Sequence, residues 1–283
     1  MRIDWLDHAA IVLGSVAFAA SISLGVGQTN GSHPPDQPVT ISYAIAAQQV
    51  TLHEPVILAF NVTNGSSEPI KLNLGEDRKG GFSFILTTPD GVKRQLPTYI
   101  SEGVSALGTF SIQPGESYSQ NLLLNEWYGF SEIGKYELEG HLADPLVIGI
   151  GVGYRRDAGF RATLEIGPRD ELALAKTCEA LANQIDASNS YQQSADATLA
   201  LSYVKDPIAV PYLRRALLSK KLVEPLATKG LEQIANEAAV RVLIGVLSID
   251  YAETAVLSRS ALVRIRNQTR DPELRQEIDN ASK

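Results

Sequence analysis

The sequence predicts a two-part chain, an antiparallel β-sandwich followed by a short array of paired helices. Three observations carry this. Apolar and polar residues alternate from about residue 39 to 168, with turn formers roughly every 8–12 positions. From about residue 170 the apolar spacing changes to the roughly 3.6-residue period of a helix. Within that second stretch the sequence repeats itself about every 30 residues.

Composition agrees with this. The chain has 283 residues, 44% hydrophobic and 20% charged, which disfavours a disordered chain or a polytopic membrane protein. Its net charge of −7 does not recommend nucleic acid as a partner. A single cysteine, Cys178, excludes an intramolecular disulfide and a cysteine-based zinc site. It sits in an apolar helical stretch, LALAKTCEALA, where a small buried hydrophobe is expected.

Residues 1–27 read as a signal peptide. Ala9 to Gly27 carry no charge, and Ala17-Phe18-Ala19 places small residues where signal peptidase reads, with cleavage before Ala20 or after Gly27. Arg2 is the one basic residue there, offset by Asp4 and Asp7. The alternative is a retained membrane anchor over residues 9–27. Residues 28–38, rich in turn formers, read as a disordered linker.

Residues 39–168 contain the strands. Val39–Ile45, Ile70–Leu74, Phe82–Thr88 and Gly134–Leu142 alternate cleanly. Asn64-Gly65, after the strand Pro55–Thr63, reads as a hairpin turn. Pro89-Asp90-Gly91 reads as another turn, with Val92–Leu96 returning. Thr98–Leu107 and Asp144–Phe160 read as insertions. The latter carries Gly149, Gly151 and Gly153 and then Tyr154-Arg155-Arg156, a flexible hairpin or sheet-edge excursion. Tyrosine and arginine are enriched at interface hot spots, so Tyr154, Arg155 and Arg156 are candidate binding residues.

The phrases HEPVILAFNVTN and QPGESYSQNLLLNEWYGFSEIGKYELEGHL resemble the immunoglobulin-like domains that accompany secreted proteases. The resemblance covers about 110 residues and implies sandwich geometry more than chemistry. It also makes Tyr136 a candidate corner tyrosine, tying a crossover through its hydroxyl. A related metalloprotease would need two histidines one helical turn apart, and His8, His33, His53 and His141 do not supply them.

Residues 169–283 form the helical part. Ala197 to Leu213 matches Ala227 to Leu243 at Ala197/Ala227, Leu201/Leu231, Val204/Ile234, Asp206/Asn236, Val210/Val240 and Leu213/Leu243. A third copy begins near Ala261 and reaches Asp271-Pro272. Asp206, Asn236 and Asp271 stand where each second helix needs a cap, and Pro207 and Pro272 suit a first helical turn. The pattern is similar to HEAT repeats. Together the resemblances imply an antiparallel immunoglobulin-like β-sandwich followed by a short HEAT-like α-solenoid. Arg214, Arg215 and Arg241 lie on the second helices and are candidate residues of a docking surface.

The sequence holds no nucleophile elbow, phosphate-binding loop, paired-cysteine motif or EF-hand loop. It is expected to be a non-enzyme without cofactor or metal: an exported, periplasmic or extracellular adaptor binding protein or peptide. It would touch a membrane only if the leader is retained. The alternative is a protease inhibitor or a non-catalytic companion of a secreted hydrolase.

Overall fold

Alternation in the first part becomes, among the described residues, three sheets. The computed structural model describes residues 39–75, 80–98, 108–149, 154–156 (backbone only), 159–248 and 252–281. The expected leader, the linker and most of the Thr98–Leu107 insertion lie outside the described residues. Strands β1 (Val39–Ile45), β3 (Ile57–Asn64) and β8 (Ser117–Leu123) form one sheet, in the order β1-β3-β8. A second has the order β11-β10-β4-β7, from β4 (Ile70–Asn73), β7 (Thr109–Ile112), β10 (Leu146–Ile148) and β11 (Tyr154–Arg156). The third is β2-β12-β9-β5-β6, from β2 (Gln49–Thr51), β5 (Phe82–Thr87), β6 (Lys93–Gln95), β9 (Gly134–Leu142) and β12 (Gly159–Gly167). Among the described residues the strand pairings are antiparallel except β2 with β12, which is parallel.

The inward halves of these strands share one core. Leu58, Phe60, Val62, Phe82, Phe84, Leu122, Tyr136 and Leu138 are buried in it. Burying each such side chain contributes about 1.5–3 kcal/mol. The rings of Phe60 and Phe82 meet edge to face at 5.2 Å, as do those of Phe84 and Trp127. Gly140 on β9 makes room for two rings, because a Cβ there would stand 2.5 Å from Phe84 and 2.6 Å from Phe160. The Tyr136 hydroxyl donates to the Glu132 carbonyl at 2.9 Å, while burial pushes its pKa up. The hydroxyl thus bonds back to the backbone four residues upstream while the ring lies in the core.

The Asn64-Gly65 hairpin expectation is corrected. β3 pairs with β1 and β8, whereas β4 belongs to the second sheet, so the segment crosses between sheets. Asn64 is buried and used as a clasp. Its Nδ2 donates to the Glu68 carbonyl at 2.8 Å and to the Ile112 carbonyl at 2.9 Å. Its Oδ1 accepts from the Ser66 amide and hydroxyl at 3.0 and 2.6 Å. A side chain that can both donate and accept replaces the tight turn that this dipeptide usually signals.

The second part contains, among the described residues, seven helices: α1 (Glu171–Ala187), α2 (Tyr191–Ser202), α3 (Val210–Leu217), α4 (Glu224–Ile234), α5 (Glu237–Val246), α6 (Ala252–Gln268) and α7 (Pro272–Ala281). The repeat maps onto helix pairs α2/α3, α4/α5 and α6/α7. Helices α2, α4 and α6 are successive neighbours, α3, α5 and α7 form a second row, and α1 packs on α2 and α3. The cap residues act as expected. Asp206 accepts from the Ile208 amide at 3.0 Å, Asn236 from the Ala239 amide at 2.9 Å, and Asp271 from the Glu273 amide at 2.9 Å. Between α2 and α4 the repeat needs a small residue. A Cβ on Gly230 would meet the Ser202 Cα at 2.9 Å and the Leu213 side chain at 2.8 Å.

Two stability predictions follow from these contacts. Gly230→Ala lowers the unfolding free energy by about 1–3 kcal/mol through overpacking, despite a helix-propensity gain of about 1 kcal/mol. Thermal or urea unfolding reads the sign directly. Asn64→Asp sets a carboxylate against two carbonyls and costs about 2–4 kcal/mol at pH 7. The same titration at pH 3–4 shows a smaller loss, because the protonated acid regains one donor.

Candidate interaction surface

The strands and helices belong to one compact unit, and a polar seam joins them. It begins at the turn between β2 and β3. The Thr51 hydroxyl donates to the Pro168 carbonyl and accepts from the Asp170 amide, both at 2.6 Å. Glu54 accepts from the Thr51 amide at 2.9 Å and, with its other oxygen, from the Thr177 hydroxyl at 2.5 Å. Asp170 itself caps α1, accepting from Leu172 and Ala173 amides at 2.9 and 3.1 Å. His53 in this turn holds a φ of 75°, a conformation unusual for a non-glycine residue. Beneath the polar groups, Ile57 of β3 and Leu123 of β8 pack into the core of the helices.

Asp206 completes the seam. Arg169, in the connection after β12, donates to its two oxygens at 2.5 and 3.1 Å. The Asp206 side chain is 4% exposed and that of Arg169 is 42% exposed. The guanidinium holds the carboxyl below its usual range, outweighing burial. Cys178 lies near this charge. Burial pushes its thiol up to about 12, with the Asp206 and Glu54 carboxylates adding to the rise.

The candidate arginines divide by environment. Arg215 on α3 donates to Asp186 at 2.6 Å, Asn183 at 2.8 Å and Glu179 at 3.4 Å, all on α1. Arg241 on α5 contacts Glu237 of its own helix and Glu277 of α7 at 3.3 Å. Both tie neighbouring helices together. Arg264 does the same for α6 and α4, reaching Glu232 at 2.6 and 2.8 Å. Arg214 is exposed and carries no ion pair among the described residues. Tyr154, Arg155 and Arg156 are placed through their backbone. They form edge strand β11, antiparallel to β10 with Ile148 opposite Tyr154 and Leu146 opposite Arg156. They lie in the strand part and Arg214, Arg215 and Arg241 in the helical part, so the six candidates span both.

A group that the charge pattern did not single out adjoins Arg214. Leu218 lies one helical turn on, its amide donating to the Arg214 carbonyl at 3.1 Å. Lys220 and Leu222 follow in the α3–α4 connection with φ of 57° and 60°. Leu222 is 64% exposed, and Tyr191 at the start of α2 is 60% exposed. The Lys221 ammonium ties this connection to the α1–α2 turn, donating to the Ser188 carbonyl at 2.7 Å. The sequence signal was LSKKL between two repeat copies, where apolar residues fall outside the helical period.

Among the described residues, no group of three or more histidine, cysteine or acidic side chains is placed to hold a metal ion. No helix among them is long and apolar enough to cross a membrane. No family model matches the chain, and no curated protein matches it. Solved structures give distant likenesses. The native conformation of Escherichia coli alpha-2-macroglobulin is 11% identical, matched over 83% of this chain and 17% of that one, with a TM-score of 0.30. The seventh PapD-like domain of human CEP192 is 10% identical over 53% of this chain and 98% of that one, at 0.27. A Listeria innocua beta-glucosidase is 13% identical over 46% of this chain and 16% of that one, at 0.26. At such scores the likenesses carry no argument.

Two predictions test the seam. Replacing Arg169 with Gln leaves Asp206 buried without its counter-charge and costs about 1–3 kcal/mol at neutral pH. Since the folded pKa of Asp206 is lowered, the stabilisation is complete above the unfolded carboxylate pKa of about 4 and disappears as pH falls through the folded value. Urea titrations of wild type and variant therefore converge toward low pH. The Cys178 thiol remains unreactive toward a disulfide-exchange reagent at pH 8 in the native protein and reacts fully in denaturant.

Proposed function

We propose that the chain is an exported, non-catalytic adaptor that binds protein or peptide. In this reading residues 1–27 are a cleaved signal peptide and 28–38 a linker. Residues 39–168 are an immunoglobulin-like sandwich, and 169–283 a HEAT-like solenoid. The observation that supports it is the joining of strand and helix parts through Thr51, Glu54, Asp170, Thr177, Arg169 and Asp206. Such a seam fixes the relative placement of two surface-presenting parts, as a scaffold requires and an independent pair of modules does not. Stacked helix pairs present an extended surface whose shape is set by the repeat rather than by loops. Surfaces held rigid before binding lose less entropy on association.

The test is affinity capture of the full chain at native expression from the cell envelope, followed by mass spectrometry. A reproducible partner retained by wild type supports the adaptor. Its complete absence across growth conditions overturns it.

A further inference from the structure

We propose that Tyr191, Arg214, Leu218, Lys220 and Leu222 form a docking surface for a peptide segment that carries carboxylates beside aliphatic side chains. The proposal rests on the adaptor reading and specifies where and what it binds.

Three features point to this occupant. The first is charge. Nearby acids are already committed, since Asp186 and Glu179 are held by Arg215 and Glu224 is buried. Arg214 and Lys220 are exposed, so the surface favours an anionic partner. The second is the exposed apolar content on the same connection and at the neighbouring start of α2. Leu222 and Tyr191 are more than half exposed, and Leu218 is 39% exposed. Tyr191 opens α2 three residues after Ser188, whose carbonyl accepts from Lys221, and tyrosine and arginine are residue types that dominate interface energetics. The third is rigidity. Lys220 and Leu222 both occupy the left-handed region, which strains non-glycine residues and persists only where surroundings impose it. The surroundings are present. Val223 is fully buried beside Leu222, Ser219 donates to the Ala216 carbonyl at 2.7 Å, and Lys221 is bonded to the Ser188 carbonyl. Leu222 is thus displayed by an anchored connection. A membrane surface fits less well, because the apolar residues sit on two short connections and a helix end rather than along one amphipathic face.

The probe is a fluorescein-labelled peptide of alternating leucine and glutamate pairs, titrated with full-length protein by fluorescence anisotropy. Its counterpart has lysine for glutamate. The acidic peptide is expected to bind with a Kd below about 100 μM and the basic one at least about tenfold more weakly. Leu222→Asn, which tolerates the left-handed backbone, and Arg214→Glu are each expected to weaken binding about fivefold or more, with the unfolding transition unchanged. Tyr191→Ser provides an independent variant if either misfolds. Equal binding of the two peptides overturns the proposal, as does no binding at millimolar concentration or insensitivity to the substitutions. So does preferential binding to phosphatidylglycerol vesicles. Captured partners that survive Leu222→Asn while the peptide fails would remove this surface and leave the adaptor reading standing. Loss of all captured partners from wild type would remove the adaptor reading itself.

Discussion

The Arg169–Asp206 pair anchors the connection through which the strands pass into the helices. One of the Asp206 oxygens caps the turn leading into α3, and both accept from Arg169. A cap alone leaves a carboxylate with spare acceptor capacity. Buried without a partner, that capacity would be costly. Arg169 fills it from the connection that leaves β12, and the adjoining Asp170 caps α1 while its amide reaches Thr51. Helix capping, chain connection and seam therefore share two consecutive residues and their partners. The apolar contacts of Ile57 and Leu123 with the helical core lie beneath this polar layer.

Elsewhere the helices are held by a division of labour between small residues and arginines. Gly230 lets α4 approach the Ser202 backbone, at a position where α2 carries Ala200 and α6 carries Ala261, both buried. Close approach brings dispersion gains, whose size depends on the absence of a gap. On the outside, Arg215, Arg241 and Arg264 bridge α3 to α1, α5 to α7 and α6 to α4. These pairs are partly exposed, so individually they contribute little to stability. Their effect is to spend charge within the array. Arg214 escapes this use, which is why it stands apart from the other two candidate arginines.

The order of strands and then helices was legible from apolar period alone, and so was the pairing of helices from the repeat. The caps Asp206, Asn236 and Asp271 were legible because a cap is a local interaction between residues two or three apart. Asn64 departs from its local signal for the complementary reason. Asn-Gly predicts a hairpin only when the flanking strands pair with one another, and here they enter different sheets. The clasp on Glu68 and Ile112 involves a carbonyl 48 residues away, which no local pattern encodes. Arg215 and Arg241 lie on second helices as their spacing implies, but apart from Glu237, one turn before Arg241, their partners lie 29–36 residues away on other helices. Composition cannot distinguish an arginine committed to such a partner from one facing solvent.

The sequence by itself determined the change from strands to helices, the caps of the second helices, the helix repeat and the burial of Cys178, because each is written in spacing along the chain. Tertiary structure decided which charges are spent, which turn crosses between sheets and how the two parts are joined. The contacts that decide these matters span 32 residues from Arg215 to Asn183 and 123 from Glu54 to Thr177. Hydrogen bonds and ion pairs require atoms within about 3–4 Å, and only the folded chain brings residues so distant in sequence to that range.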